Sequence, residues 1–272
     1  MLFLKGNDGI LGFDGVKGHS SFQFRPIALS SLEREKIDIV AASCGENHVV
    51  ALATTGRVYT WGTGEQFQLG RRIIGRHRLN GLNPEKLALK NISLVSAGMY
   101  HSFAVDTSGV VWAWGLNTFH QTGLSPSKGG NNDEILQPAQ VDALAPEKHN
   151  GSRVIQIEGG EHHTIFLFDN GEVWGCGRCD GSQIGLAKDH PAWRGVEERE
   201  EDIKEIKREK LREAQKKLDQ VVGEEAIKEA EAAVAAADAS LRAALDSFVP
   251  EPVRVCHIPI CWPTSWILIK RL

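Results

Sequence analysis

His162, His163, Cys176 and Cys179 are the four side chains of this 272-residue sequence whose types could together hold zinc, two imidazoles and two thiolates making a tetrahedral set. That would be the sharpest enzymatic reading of the chain. Two of the four, however, stand at positions that recur. His163 follows Gly160 by three residues, as His48 follows Gly45 and His101 follows Gly98, while Cys176 stands where Trp61 and Trp114 stand in earlier copies. A side chain required in every copy serves the framework first, so no metal is expected. The pairs Cys176/Cys179 and Cys256/Cys261 also lack a matching second half. No Ser/His/Asp set, phosphate-binding glycine loop or carboxylate pair at a defined spacing stands out. The expectation is therefore no covalent chemistry, no cofactor and no small-molecule substrate.

A second grouping is basic. Arg71, Arg72, Arg76, His77 and Arg78 follow one another closely, and clustered guanidinium groups suit bidentate recognition of carboxylate or phosphate. The competing reading is a solvated connection. Overall charge does not favour nucleic acid. The formal net charge is −4, and residues 194–247 account for all of it with 15 acidic and 11 basic side chains, leaving 20 of each sign elsewhere.

The elements that would position these residues follow from the repeat. One skeleton runs Gly45, His48, Gly56, Trp61, Gly62, Gln68, Gly70; the second Gly98, His101, Gly109, Trp114, Gly115, Gln121, Gly123; the third Gly160, His163, Gly171, Cys176, Gly177, Gln183, Gly185. Internal offsets are identical, and the copies start 53 and then 62 residues apart, so variation is confined to the connections. After each His comes a short apolar run of strand length, such as His101-Ser102-Phe103-Ala104-Val105. A polar cluster ending in Gly follows, a hairpin signal, and then a second strand ending at Trp or Cys. Several short antiparallel strands per 50 to 60 residues predict an all-β fold, a β-propeller of four-stranded blades, with repeats at 39–70, 92–123 and 154–186. His48, His101 and His163 are expected to be equivalent buried hydrogen-bonding residues, and Trp61 and Trp114 core aromatics. The positions just before each His differ between copies and are the better functional candidates: Glu46 and Asn47, Met99 and Tyr100, Glu161 and His162.

The strings Cys44-Gly45-Glu46-Asn47-His48, Gly115-Leu116-Asn117-Thr118-Phe119-His120-Gln121 and Gly159-Gly160-Glu161-His162-His163-Thr164 resemble the regulator of chromosome condensation repeat family, and within it the fungal branch of the Ran exchange factors. The resemblance covers Leu4 to about Pro191. It implies a seven-bladed propeller that acts as a nuclear, chromatin-associated guanine nucleotide exchange factor for the Ran GTPase. Glu46, Asn47, Tyr100, Glu161 and His162 would then be face loops touching the GTPase. Lys5, Gly6, Asn7, Asp8, Gly9 and Ile10 resemble the family's β-wedge, departing from it at Leu4 and Gly6; the alternative is an ordinary hairpin tip. Arg71, Arg72, Arg76 and Arg78 match a loop that in the family grips nucleosomal histones. A different reading keeps the fold and makes the chain a non-catalytic scaffold for some other partner.

Three complete repeats and part of another fall short of seven, so the sequence reads as part of a longer propeller, with residues 1–193 as that part. Residues 194–249 read as a charged helical, coiled-coil-like insertion in a between-blade connection. Its stripes are Leu211, Ala214, Leu218 and Val221, then Ile227, Ala230, Val234, Ala237, Leu241, Ala244 and Phe248, with Gly223 as a kink or a hairpin turn. Residues 250–272 read as an atypical tail, either the start of another blade or an artefact of the gene model. Its apolar run is shorter than the roughly 20 residues that cross a bilayer, so no membrane partner is expected. Five cysteines and no visible signal peptide fit an intracellular protein.

Overall fold

The computed structural model describes residues 29–73, 81–220, 224–242 and 247–257, which fall into two compact units divided at Leu186 and Ser247. The described part of the first unit opens with the short helix α1 (Ser30–Arg34) and continues as three four-stranded antiparallel sheets. They are β1 (Ile39–Cys44), β2 (His48–Ala53), β3 (Val58–Gly62) and β4 (Glu85–Lys86); β5 (Ile92–Ala97), β6 (His101–Asp106), β7 (Val111–Leu116) and β8 (Glu134–Gln140); and β9 (Val154–Gly159), β10 (His163–Phe168), β11 (Glu172–Arg178) and β12 (Phe248–His257). In each sheet the strands lie in chain order. These are three blades of a β-propeller.

The repeat spacing is the length of one hairpin. His48 lies opposite Gly62, His101 opposite Gly115 and His163 opposite Gly177 in the registers of β2–β3, β6–β7 and β10–β11. The turn glycine of each hairpin has positive φ, +69° at Gly56 and +95° at Gly109, which a side chain would oppose.

In the first two blades the second strands read as continuous apolar runs because both of their faces are covered, while β10 of the third alternates buried and half-buried residues. All six residues of β2 are buried. Alternation then divides them between two cores. Val50, Leu52 and Val58 join a large cluster with Phe103, Trp114 and Phe166, whereas Val49, Ala51, Ala53, Tyr59 and Trp61 join Leu32 of α1 in another. Phe103 and Phe166 meet edge to face at 5.5 Å across the second and third blades.

Two expectations are corrected in the third blade. Phe248 does not end a helical stripe; it opens β12, which pairs with β11 from Arg178↔Phe248 to Glu172↔His257. Residues 248–257 therefore complete this blade rather than begin another, and the helical segment joins its third and fourth strands instead of linking two blades. Pro250 and Pro252 fall in the register shift of β12, between Val249↔Gly177 and Val253↔Gly175, on an edge strand, which is where a sheet admits proline. The same connection is 63–84 in the first blade and 117–133 in the second.

The second unit contains α2 (Pro191–Gln220) and α3 (Glu224–Arg242). They pack side by side and antiparallel, Lys217, Ala214 and Lys210 lying against Ala226, Ala230 and Ala233. Leu211, Ala214 and Leu218, with Ala230, Val234 and Ala237, are the half-buried positions of the expected stripes, while Ile227 is exposed. Ion pairs Arg208–Glu201 at 2.9 Å and Arg208–Glu205 at 3.1 Å run along α2. Val221, Gly223, Ala244 and residues 258–272 lie outside the described residues. Among those residues no helix is long and apolar enough to cross a membrane.

Candidate functional site

The repeated His is a fastener between blades. His48 Nε2 lies 2.8 Å from Ser102 Oγ of the second blade, and Ser102 Oγ donates back to the Gln68 carbonyl of the first at 2.9 Å. One blade on, His101 Nε2 lies 2.9 Å from Thr164 Oγ1, which donates to the Gln121 carbonyl at 2.7 Å. Because each hydroxyl spends its proton on a carbonyl, it accepts from the imidazole, which fixes a neutral Nε2–H tautomer. Burial agrees: it pushes the pKa of His48 and of His101 down to about 3. His163 has no described blade beyond it and is half-buried; burial and then His162 lower its pKa.

The other repeated residues serve the same joint. The imidazole lies on the glycine three residues before it, so a Cβ on Gly45, Gly98 or Gly160 would fall inside 3.0 Å of ring atoms. Gln68, Gln121 and Gln183 each accept the backbone N–H two residues earlier through Oε1 at 2.9 Å, stapling the turn that presents their carbonyl. Trp114 Nε1 donates to the Gln68 carbonyl at 2.8 Å, and Cys176, in the Trp position, sets its Sγ 3.6 Å from the Gln121 carbonyl. Cys176 is thus a buried packing residue whose thiol pKa burial raises far above its ordinary value. Among the described residues no three His, Cys, Asp or Glu side chains gather in a metal-holding cluster.

The antiparallel order puts the β1–β2, β5–β6 and β9–β10 loops at one end of the blades, with the connections that leave β3, β7 and β11. Backbone bonds tie these loops together: Glu46 N–H donates to the Met99 carbonyl at 3.0 Å, and Met99 N–H to the Gly160 carbonyl at 2.9 Å. Their side chains stand on a rigid base. Tyr100 hydroxyl donates to Glu46 Oε2, and that bond, followed by burial and the charges of Glu46 and Glu161, pushes the phenol up to about 12. Glu161 is exposed, its Oε1 3.5 Å from His162 Nε2. The His162 ring lies 4.5 Å from that of Phe119. Arg178 covers Phe119 at 5.2 Å and forks onto Asp180 at 2.7 to 3.0 Å, holding that carboxyl down at about 2.

The structure therefore brings Glu46, Tyr100, Glu161 and His162 to one end, with Asn47 half-buried in the first of the loops. Arg71 is built into the framework, its guanidinium 3.1 Å from Glu85 and donating to the Thr60 carbonyl at 3.3 Å, while Arg72 is exposed. Arg76, His77 and Arg78, and Lys5 to Ile10 with the rest of residues 1–28, lie outside the described residues. Sequence reasoning missed Phe119, Arg178 and Asp180. Their signal was available: Phe119 stands where the other copies carry Gln66 and Gly181, and Arg178 where they carry Thr63 and Leu116.

The family model of the RCC1-like domain matches residues 2–241. The chain is 47% identical over 173 residues to Protein pim1 of Schizosaccharomyces pombe, covering 64% of this chain and 31% of that protein. It is 33% identical over 186 residues to the guanine nucleotide exchange factor SRM1 of Saccharomyces cerevisiae, covering 68% and 36%. Among solved structures it is similar to Prp20p of Saccharomyces cerevisiae, a structure described with that protein's binding to Gsp1p and histones, at 33% identity and a TM-score of 0.51, covering 57% and 34%. The chain spans about a third of the length of these relatives.

Proposed function

This chain belongs to the RCC1-like domain family, and from that premise we propose that it is part of a guanine nucleotide exchange factor for the Ran GTPase. The observation that carries the reading is the end of the blades where Glu46, Asn47, Tyr100, Glu161 and His162 collect. There the side chains differ from copy to copy on loops whose backbone is locked, which is what a specific protein partner requires. Likeness to a curated exchange factor supports the activity.

No covalent step is needed. The face holds nucleotide-free Ran better than nucleotide-bound Ran, and that difference in affinity is the whole driving force for release. Glu46 and Glu161 supply carboxylates to basic side chains of the GTPase, while Asn47 and His162 supply hydrogen-bonding groups at the edge of the sheet ends. Lys5 to Ile10 would act as the wedge against the phosphate loop, a role carried by resemblance. Histones are a second partner, with Arg72, Arg76 and Arg78 as contacts; the histone binding described for Prp20p supports it. The protein works in the nucleus, on chromatin.

The test is release of labelled guanine nucleotide from Ran with three variants beside the parent chain. Asn47→Ala and His162→Ala are expected to slow release about tenfold each at unchanged melting temperature, the size of one lost interface contact. His48→Ala is expected to lower stability by about 3 kcal/mol through a lost buried ring and hydrogen bond. Slower release by His48→Ala at a wild-type melting temperature would reverse the division between framework and face.

A further inference from the structure

We propose that Phe119 and Arg178 are positioning residues for His162, holding its imidazole at the rim between the second and third blades in the one orientation that engages the GTPase. The inference rests on the exchange-factor reading and extends it to residues the repeat does not specify. Three contacts close a circuit. Arg178 N–H donates to the His162 carbonyl at 2.8 Å, a backbone bond that Thr63 and Leu116 also make to Asn47 and Tyr100, so the base under the imidazole is shared and the side chains of Arg178 and Phe119 are what differ. The Arg178 guanidinium covers the Phe119 ring at 5.2 Å, and the Phe119 ring packs against the His162 ring at 4.5 Å with 41° between planes.

The clamp is anchored in the framework. Asp180 accepts from Arg178 Nε at 2.8 and 3.0 Å and from its terminal nitrogen at 2.7 Å, so the fork has one orientation. Asp180 Oδ1 also accepts from Gln183 Nε2 at 2.8 Å, and Gln183 is the repeated turn staple. Among the described residues of the other two copies the corresponding amide makes no such ion-linked bond: Gln68 Nε2 reaches Gln66 Oε1 at 3.4 Å, and Gln121 Nε2 is buried without a partner. The polar chain Gln183–Asp180–Arg178 is therefore particular to the blade that carries His162.

The imidazole itself has little else to hold it. Nε2 faces the exposed Glu161 carboxylate at 3.5 Å, a long contact in water, and Nδ1 is buried without a hydrogen-bond partner. With no strong polar bond on either nitrogen among the described residues, the ring contact with Phe119 decides where His162 points. Asn47 and Tyr100, at the equivalent positions of the first and second blades, have no such aromatic shelf among the described residues.

The experiment combines nucleotide release from Ran at sub-saturating GTPase with the imidazole proton resonances of His162, in the full chain. Phe119→Leu is expected to slow release about fivefold at an unchanged melting temperature, the weight of one aromatic pair. The same substitution in a His162→Ala background is expected to change nothing further, because Phe119 acts through that ring. Phe119→Tyr is expected to restore most of the rate. The His162 ring protons, shifted upfield by Phe119 in the parent, should return toward ordinary values in Phe119→Leu and should average in Arg178→Met. Equal slowing by Phe119→Leu in both backgrounds, or His162 resonances that do not move, would overturn the proposal. If His162→Ala alone leaves release unchanged, the exchange reading of His162 falls, and the ring resonances still decide whether Phe119 and Arg178 orient it.

Discussion

Gly98→Ala is expected to destabilise the propeller by about 3 kcal/mol, and most of that loss should disappear when His101 is also alanine. The three heavy atoms nearest to a Cβ on Gly98 are all in the His101 ring, every one inside 3.0 Å. That ring cannot withdraw. It is fully buried, fixed by Thr164 on one side and met edge-on by Phe103 at 5.5 Å. The new methyl must therefore push the imidazole off its hydroxyl partner or spread two blades. His101→Ala alone removes the ring and the bond to Thr164, itself a loss of about 3 kcal/mol. The double variant should lie close to that single loss, giving a coupling of about 3 kcal/mol in a urea-denaturation cycle. Gly45→Ala with His48→Ala is the contrast. There the Gly98 carbonyl also stands 2.6 Å from the added Cβ, so removing the imidazole should rescue less. Additive losses at Gly98 and His101 would show that Gly-x-x-His is not a packing unit.

The second large effect is loss of stability in mild acid. His48 and His101 are neutral in the folded protein, with pKa values pushed down to about 3 by burial, against about 6.5 in an unfolded chain. The unfolded state thus binds more protons between those values, so their contribution is complete above pH 6.5 and declines as pH falls toward 3. Each histidine costs about 1.4 kcal/mol per pH unit across that window, and at pH 5 the two together remove about 4 kcal/mol. His163, half-buried and with a smaller lowering, adds less. Asp180 adds its own loss only at the acid end, as pH falls from its ordinary value of 3.8 toward about 2, so it does not account for the fall between pH 6.5 and 5. Replacing His48 and His101 by Gln should lower stability at pH 7 but flatten its fall from pH 7 to 5. An equally steep fall in that double variant would assign the acid sensitivity elsewhere.

The framework was legible because its demands are identical in every blade. A ring that lies on a glycine and a histidine opposite a second glycine leave a fixed interval in the chain, and the hairpin between them has one length. The outer strands leave no such mark. β4 is only Glu85–Lys86, and β12 begins after the helical unit, each meeting a neighbour along one edge and so constraining few side chains. Phe248 illustrates the ambiguity: a step of four from Ala244 continues a helical stripe, yet Phe248 and the buried Val249 begin an alternating strand. At the candidate face, Glu46, Asn47, Glu161 and His162 could be picked out because they break the repeat. The Ser102 and Thr164 hydroxyls and the Phe119–His162 contact could not, because their partners lie in another blade and only the fold brings them together.

The central claim concerns a difference in affinity, so the most direct test is to measure binding of this chain to Ran with nucleotide removed and to Ran loaded with GDP, at one salt concentration. The account predicts binding at least tenfold tighter to the nucleotide-free form, with His162→Ala eroding that preference and Arg72→Ala leaving it intact. Equal affinity for both forms would contradict it, since a face that does not distinguish the two states cannot drive release.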